Sequence, residues 1–149
     1  MSDSLITFIP QEPEFVPAVQ AQQLGISLVK RLSPGAEAIR VECTDKLRLI
    51  DCGENFERIA CPLCDRNIEL SWWNEQVNQV MSRNSLVPTT LPCCGTAKSL
   101  HELTYEWPQG FARFSLEVMN PPNPDFAETH VGELERVLGC DLRVIYTHI

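Results

Sequence analysis

The residues with the most evident chemistry in this chain carry sulfur. Cys61-Pro62-Leu63-Cys64-Asp65 has the form of a zinc knuckle, a tight turn in which two thiolates point at one ion while backbone N–H groups bond to the sulfurs. Asp65 stands where such a turn needs a left-handed backbone, a place usually held by Gly. A second segment, Leu91-Pro92-Cys93-Cys94-Gly95, repeats the Pro and ends on Gly, but Leu91 occupies the place of the first ligand. Cys94 then matches the second ligand. The expected ligands are Cys61, Cys64 and Cys94, with Cys93 as the fourth; Cys52, followed by Gly53, and then His101 are the alternatives for that fourth place.

Four sulfur ligands close the coordination sphere of Zn2+, so the expected role of the metal is structural. Catalytic zinc commonly keeps three protein ligands, among them His or a carboxylate, and an open position for water. The chain has no His-Glu-x-x-His, and His101-Glu102 lies after both cysteine pairs with the wrong spacing for a nucleobase deaminase. A redox dithiol is the competing reading of Cys61-x-x-Cys64. It lacks a following helix to activate the first thiol, and the second cysteine pair is superfluous to it. Cys43 and Cys140 fall at element ends and read as buried, inert thiols.

Composition narrows the setting. The chain has 149 residues, 44% hydrophobic and 21% charged, which fits one globular domain over 1–149. A net charge of −8 repels phosphate backbones and anionic lipid, and the densest basic run, Lys30-Arg31, reads as the end of a helix. Met1 to Ile9 shows neither a basic region nor a long apolar one, and no stretch approaches the roughly 20 apolar residues of a membrane span. The expected location is the cytoplasm, where seven cysteines stay reduced.

The elements that must position the cysteines follow from periodicity. Leu5–Ile9 reads as a strand stopped by Pro10, and Ala21, Leu24, Leu28 and Leu32 mark the buried stripe of a helix approached through Pro13 and Pro17. Ile39, Val41 and Cys43, then Leu47 and Leu49, alternate with polar residues as a hairpin turning near Asp45-Lys46. Alternation fades between Cys52 and Trp107, a stretch with five of the seven cysteines, which reads as an insertion over about 52–107. Within it Trp73, Val77, Val80 and Met81 share one face of a helix that Ser71 can cap, and 87–91 is extended.

Regular structure then returns. Ala112, Phe114, Leu116 and Val118 alternate with Arg113, Ser115 and Glu117; Ala127, Val131, Leu134 and Leu138 form an amphipathic helix ending at Gly139; Leu142 to Ile149 is a last strand. Strand, helix, strand thus recurs on both sides of the insertion. That order predicts an α+β sandwich of the ferredoxin-like kind, βαβ-βαβ, with an inserted zinc-ribbon-like segment.

Charged strand positions Arg40, Arg48, Arg113 and Arg143 read as cross-strand ion pairing before they read as a partner surface. Trp72, Trp73 and Trp107 read as packing residues rather than as a base-stacking platform, given the acidic chain. His130 and His148 read as packing or surface residues.

The run Asp51-Cys52-Gly53-Glu54-Asn55-Phe56-Glu57, with Cys61-Pro62-Leu63-Cys64, Trp72-Trp73, Leu91-Pro92-Cys93-Cys94-Gly95 and the segment from Trp107-Pro108 to Phe114, resembles a group of uncharacterised bacterial zinc-ribbon-like proteins of similar length. The resemblance extends from about Cys43 to the C-terminus. It implies a bacterial cytoplasmic protein with a zinc-ribbon-like segment and carries no substrate. The first functional reading is a non-enzymatic interaction or adaptor module whose partner is another protein. The competing readings are a zinc- or thiol-dependent enzyme using Cys52, Cys93 or His101, and a nucleic-acid-associated zinc ribbon, which the charge opposes.

Overall fold

A computed structural model describes residues 2–149 as an α+β fold with two helices on an antiparallel four-stranded sheet and a third helix in a smaller cysteine-bearing layer, which is inserted in sequence between the two halves of the sheet. Met1, part of the stretch from Met1 to Ile9 discussed above, lies outside the described residues. No helix among the described residues is long and apolar enough to cross a membrane.

The sheet contains β1 (Ser4–Pro10), β2 (Ala38–Ile50), β7 (Gly110–Met119) and β8 (Leu142–His148) in the spatial order β2-β7-β1-β8. β1 pairs with β7 on one side and β8 on the other, which explains its nearly continuous apolar run. Helices α1 (Val19–Leu32) and α3 (Phe126–Leu138) cover one face. Ile6 and Phe8 of β1 and Phe114, Leu116 and Val118 of β7 meet Leu28, Val29, Leu134 and Leu138 there in the main apolar core. Gly139 closes α3 with a left-handed φ of 78°, its N–H donating to Glu135 O at 2.8 Å.

Two sequence expectations are corrected in this part. The stripe of α1 is rotated: Gly25, Leu28 and Val29 are buried, whereas Leu24 is 62% exposed. Gly25 explains the rotation, because α1 crosses α3 at this point and a Cβ on Gly25 would stand 3.0 Å from Leu138 Cδ2. The helix turns its smallest residue toward its neighbour. The expected hairpin over 39–49 is instead one strand, β2, whose two halves both pair with β7 across an irregularity between Cys43 and Arg48. No Gly or Asn stands at Asp45-Lys46 to take the positive φ that a tight hairpin needs. The bulge is held by side chains instead: Asn84 Oδ1 accepts from Leu47 N–H at 2.7 Å, and Arg113 donates to Asp45 O.

Residues 51–109 form the second layer: β3 (Arg58–Ala60) pairs with β6 (Thr104–Glu106), β4 (Thr89–Thr90) with β5 (Ala97–Lys98), and α2 (Leu70–Arg83) lies between β3 and β4 in sequence. A separate apolar cluster built on Ile59, Trp73, Val80, Leu91, Leu100 and Phe111 holds it together. Trp73 and Val80 of the expected α2 stripe are buried, but Met81 is 41% exposed. Ser71 is not the cap, since the helix begins at Leu70 with Glu69 at its N-cap and no capping side chain.

Candidate metal centre

Each cysteine pair sits on a turn that follows a short strand. After β3, Cys61 N–H donates to Arg66 O at 2.9 Å and Asp65 N–H donates to Cys61 O at 3.0 Å. After β4, Leu91 N–H donates to Thr96 O at 2.9 Å and Gly95 N–H to Leu91 O at 3.0 Å. The two turns have the same pair of backbone bonds at a constant offset, so Leu91 corresponds to Cys61, Cys93 to Leu63, Cys94 to Cys64 and Gly95 to Asp65. Asp65 and Gly95 both have left-handed φ, 60° and 74°, as the spacing required.

The substitution at the first position changes how the second turn supplies sulfur. Leu91 is buried, at 1% exposure, in the second apolar cluster, whereas Leu63 at the position of Cys93 is 58% exposed. Sulfur is therefore carried at the third and fourth positions of the second turn and at the first and fourth of the first. The Sγ atoms of Cys61, Cys64, Cys93 and Cys94 all lie within 4.8 Å of one another, a group able to hold a metal ion. Cys61 and Cys94 Sγ are 3.7 Å apart. Cys61 Sγ accepts from Leu63 N–H at 3.4 Å and Cys64 N–H at 3.5 Å. The Cys64 and Leu63 amides hold the Cys61 thiol down to about 6. Burial, with three neighbouring thiols, pushes Cys93 up to about 12.

The alternatives for the fourth place lie outside this cluster. The Cys52 thiol is buried at the end of β2 and donates to Gln109 Oε1 at 3.5 Å; burial, then the charge of Asp51, raises its pKa. His101 uses both ring nitrogens elsewhere. Its Nδ1 accepts from Phe111 N–H at 3.0 Å, so the proton sits on Nε2, which donates to Gln11 O at 2.9 Å. Burial, with the neighbouring Arg143 guanidinium, lowers His101 to about 4.

The remaining candidates divide in the same way. Cys140 is half-buried and raised to about 11 by burial, but Cys43 is exposed, contrary to the expectation of a buried thiol, because the β2 bulge follows it at the sheet edge. Arg48 pairs with Glu42 of its own strand at 3.2 Å and Arg113 with Glu14 of the loop before α1 at 3.2 Å, so these two ion pairs do not run from strand to strand as expected. Arg143 has no carboxylate within 4.0 Å among the described residues; it donates to His101 O at 3.1 Å, Gln109 O at 2.8 Å and Gln11 Oε1 at 3.2 Å. These bonds tie the cysteine layer to the main sheet. Trp73 Nε1 donates to Tyr105 OH at 3.0 Å inside the layer, whereas Trp107, expected in packing, is 42% exposed. His130 and His148 are half-buried, each beside one glutamate.

No protein-family model matches this chain, and neither curated proteins nor solved structures provide a match.

Proposed function

We propose that Cys61, Cys64, Cys93 and Cys94 hold one structural Zn2+ and that the layer it organises serves a protein-interaction module. The observation that carries this is the convergence of four sulfurs within 4.8 Å from two matching turns. A tetrahedral zinc–thiolate site has Zn–S distances near 2.3 Å, which implies sulfur–sulfur separations of about 3.8 Å, and the Cys61–Cys94 distance of 3.7 Å fits. When bound, the ion supplies cross-linking of the two turns and stabilises the thiolates, of which the Leu63 and Cys64 amides already favour that of Cys61.

A donor set of four sulfurs leaves no ligand position for water and supports a folding role over catalysis. The partners of Cys52 and His101 count against the enzymatic reading that used them. In the same proposal the sheet order β2-β7-β1-β8, with α1 and α3 on one face, is a ferredoxin-like sandwich, and residues 51–109 are its zinc-ribbon-like insertion.

The test is metal content and thiol titration of the full chain purified without added metal, alongside Cys93→Ala and Cys52→Ala variants. One zinc per chain, retained in Cys52→Ala and lost in Cys93→Ala, is the expected result. Iron in place of zinc would overturn the metal assignment. Chains free of metal, with Cys61 and Cys64 readily oxidised to a disulfide, would overturn the structural role as well.

A further inference from the structure

Trp107 stands on the surface where the cysteine layer rejoins the main sheet, and it borders a groove the metal centre does not use. The groove measures about 280 Å³ and is walled by Trp107, Tyr146, Pro121, Pro124 and Asn55. It runs between the start of β1, the end of β8 and the loop before α3. Trp107 meets Tyr146 edge-on, with ring centroids 6.2 Å apart and an interplanar angle of 73°, which forms a corner between two aromatic walls. The Trp107 indole N–H has no protein acceptor among the described residues, and the ring is 42% exposed. Such a tryptophan is an unusual feature on a chain that buries Trp73 and satisfies its N–H.

Three carboxylates stand near the groove, and His148 is the one lining side chain that can carry positive charge. Glu54 lies 3.7 Å from His148 at one end, Glu128 Oε1 accepts from Tyr146 OH at 3.4 Å, and Asp125 follows the wall residue Pro124. No lysine or arginine is among the residues that form the walls.

We propose that this groove docks a proline-rich segment of a partner protein, in the polyproline II conformation, flanked by arginine or lysine. Proline rings fill aromatic corners, the extended segment keeps its carbonyls free to accept an indole N–H, and its preformed helix limits the entropy lost on binding. The acidic rim selects a basic flank. A small quaternary ammonium fits less well, because the edge-on contact uses one ring face and leaves no closed aromatic cage. This proposal rests on the reading of the chain as an interaction module and not on the identity of the metal.

The experiment follows the Trp107 indole resonance of the metal-loaded full chain by NMR. An arginine-flanked oligoproline peptide is titrated against a glutamate-flanked peptide of the same length and against tetramethylammonium chloride. The arginine-flanked peptide is expected to shift the resonance and to bind at least tenfold more tightly than the glutamate-flanked one. Trp107→Ala, at an exposed position and followed through the backbone amides of Asn55, Tyr146 and Thr147 because it lacks the indole, is expected to weaken binding at least tenfold, and Glu128→Gln to weaken only the arginine-flanked peptide. No shift, equal affinity for both flanks, binding unchanged in Trp107→Ala, or a shift with tetramethylammonium alone would overturn the proposal. Zinc is assayed on the same samples, so a zinc-loaded chain that ignores the peptides rejects the groove and leaves the metal reading standing.

Discussion

Arg58 bonds to the first cysteine turn at several points. Its Nη2 donates to Asp65 O at 2.8 Å, its Nε donates to Asn67 Oδ1 at 2.7 Å, and Nη1 lies 3.7 Å from the Asp65 carboxylate. The exposed ion pair adds little by itself, but the bond to Asp65 O fixes the left-handed residue that turns Cys64 back toward Cys61. Groups that orient ligands commonly set metal affinity by 10–100-fold. Arg58→Ala is therefore expected to weaken zinc binding by roughly 10–100-fold while leaving all four ligands in place, measured by competition with a chromogenic chelator. An unchanged affinity would show that the backbone bonds of the turn suffice. Leu91 makes the complementary point: an apolar residue at a ligand position of the motif is a core anchor, and the sulfur it displaces is supplied by Cys93.

At the scale of elements, the cysteine layer is made of very short pieces. β4 and β5 contribute two residues each, β3 and β6 three each, and none is stable as an isolated hairpin. Its apolar cluster includes Cys61 and is flanked by Cys93, so the four-cysteine cluster proposed to hold zinc and the packing of this layer share residues. Chelation of the metal is expected to raise amide exchange at Cys61, Asp65, Leu91 and Gly95, whose N–H groups hold the two turns, by orders of magnitude. Amides of β1 and β7, in the centre of the sheet, should keep their protection. Equal loss of protection in both regions would mean that sheet and cysteine layer unfold as one unit. The same scale accounts for β2, where local alternation was legible on both sides of Asp45 but the pairing partner of each half was not. A hairpin and a bulged strand have the same pattern of apolar residues until β7 is present to pair with both halves.

Across the whole molecule, His101 and Arg143 join the two layers. His101 bonds Gln11 at the end of β1 and Phe111 at the start of β7, while Arg143 of β8 reaches the carbonyls of His101 and Gln109. His101 is lowered from 6.5 to about 4, so between these values the unfolded chain binds more protons and stability falls as pH drops. Its neutral form contributes fully above pH 6.5 and its share is lost toward pH 4, a change of about 3 kcal/mol from the linkage of one pKa unit to 1.36 kcal/mol. Urea unfolding across this range should show the slope in the wild-type chain and a flatter one in His101→Gln. Parallel curves would mean that His101 is not the residue responsible.

The sequence by itself determined the local features of this protein. The sulfur spacing, the left-handed positions Asp65 and Gly95, the buried strand Leu5–Ile9 and the cap at Gly139 depend on residues close together in the chain, where stereochemistry leaves few choices. Tertiary structure decided which of several chemically equivalent groups met. It brought Cys93 into the cluster and gave Cys52 and His101 to other partners, because those partners, Gln109, Gln11 and Phe111, become neighbours only when the sheet closes. It rotated α1 onto Gly25 and left Trp107 at the surface for the same reason. Helical and apolar patterns name the residues that can be buried, and the shape of the opposing element selects those that are.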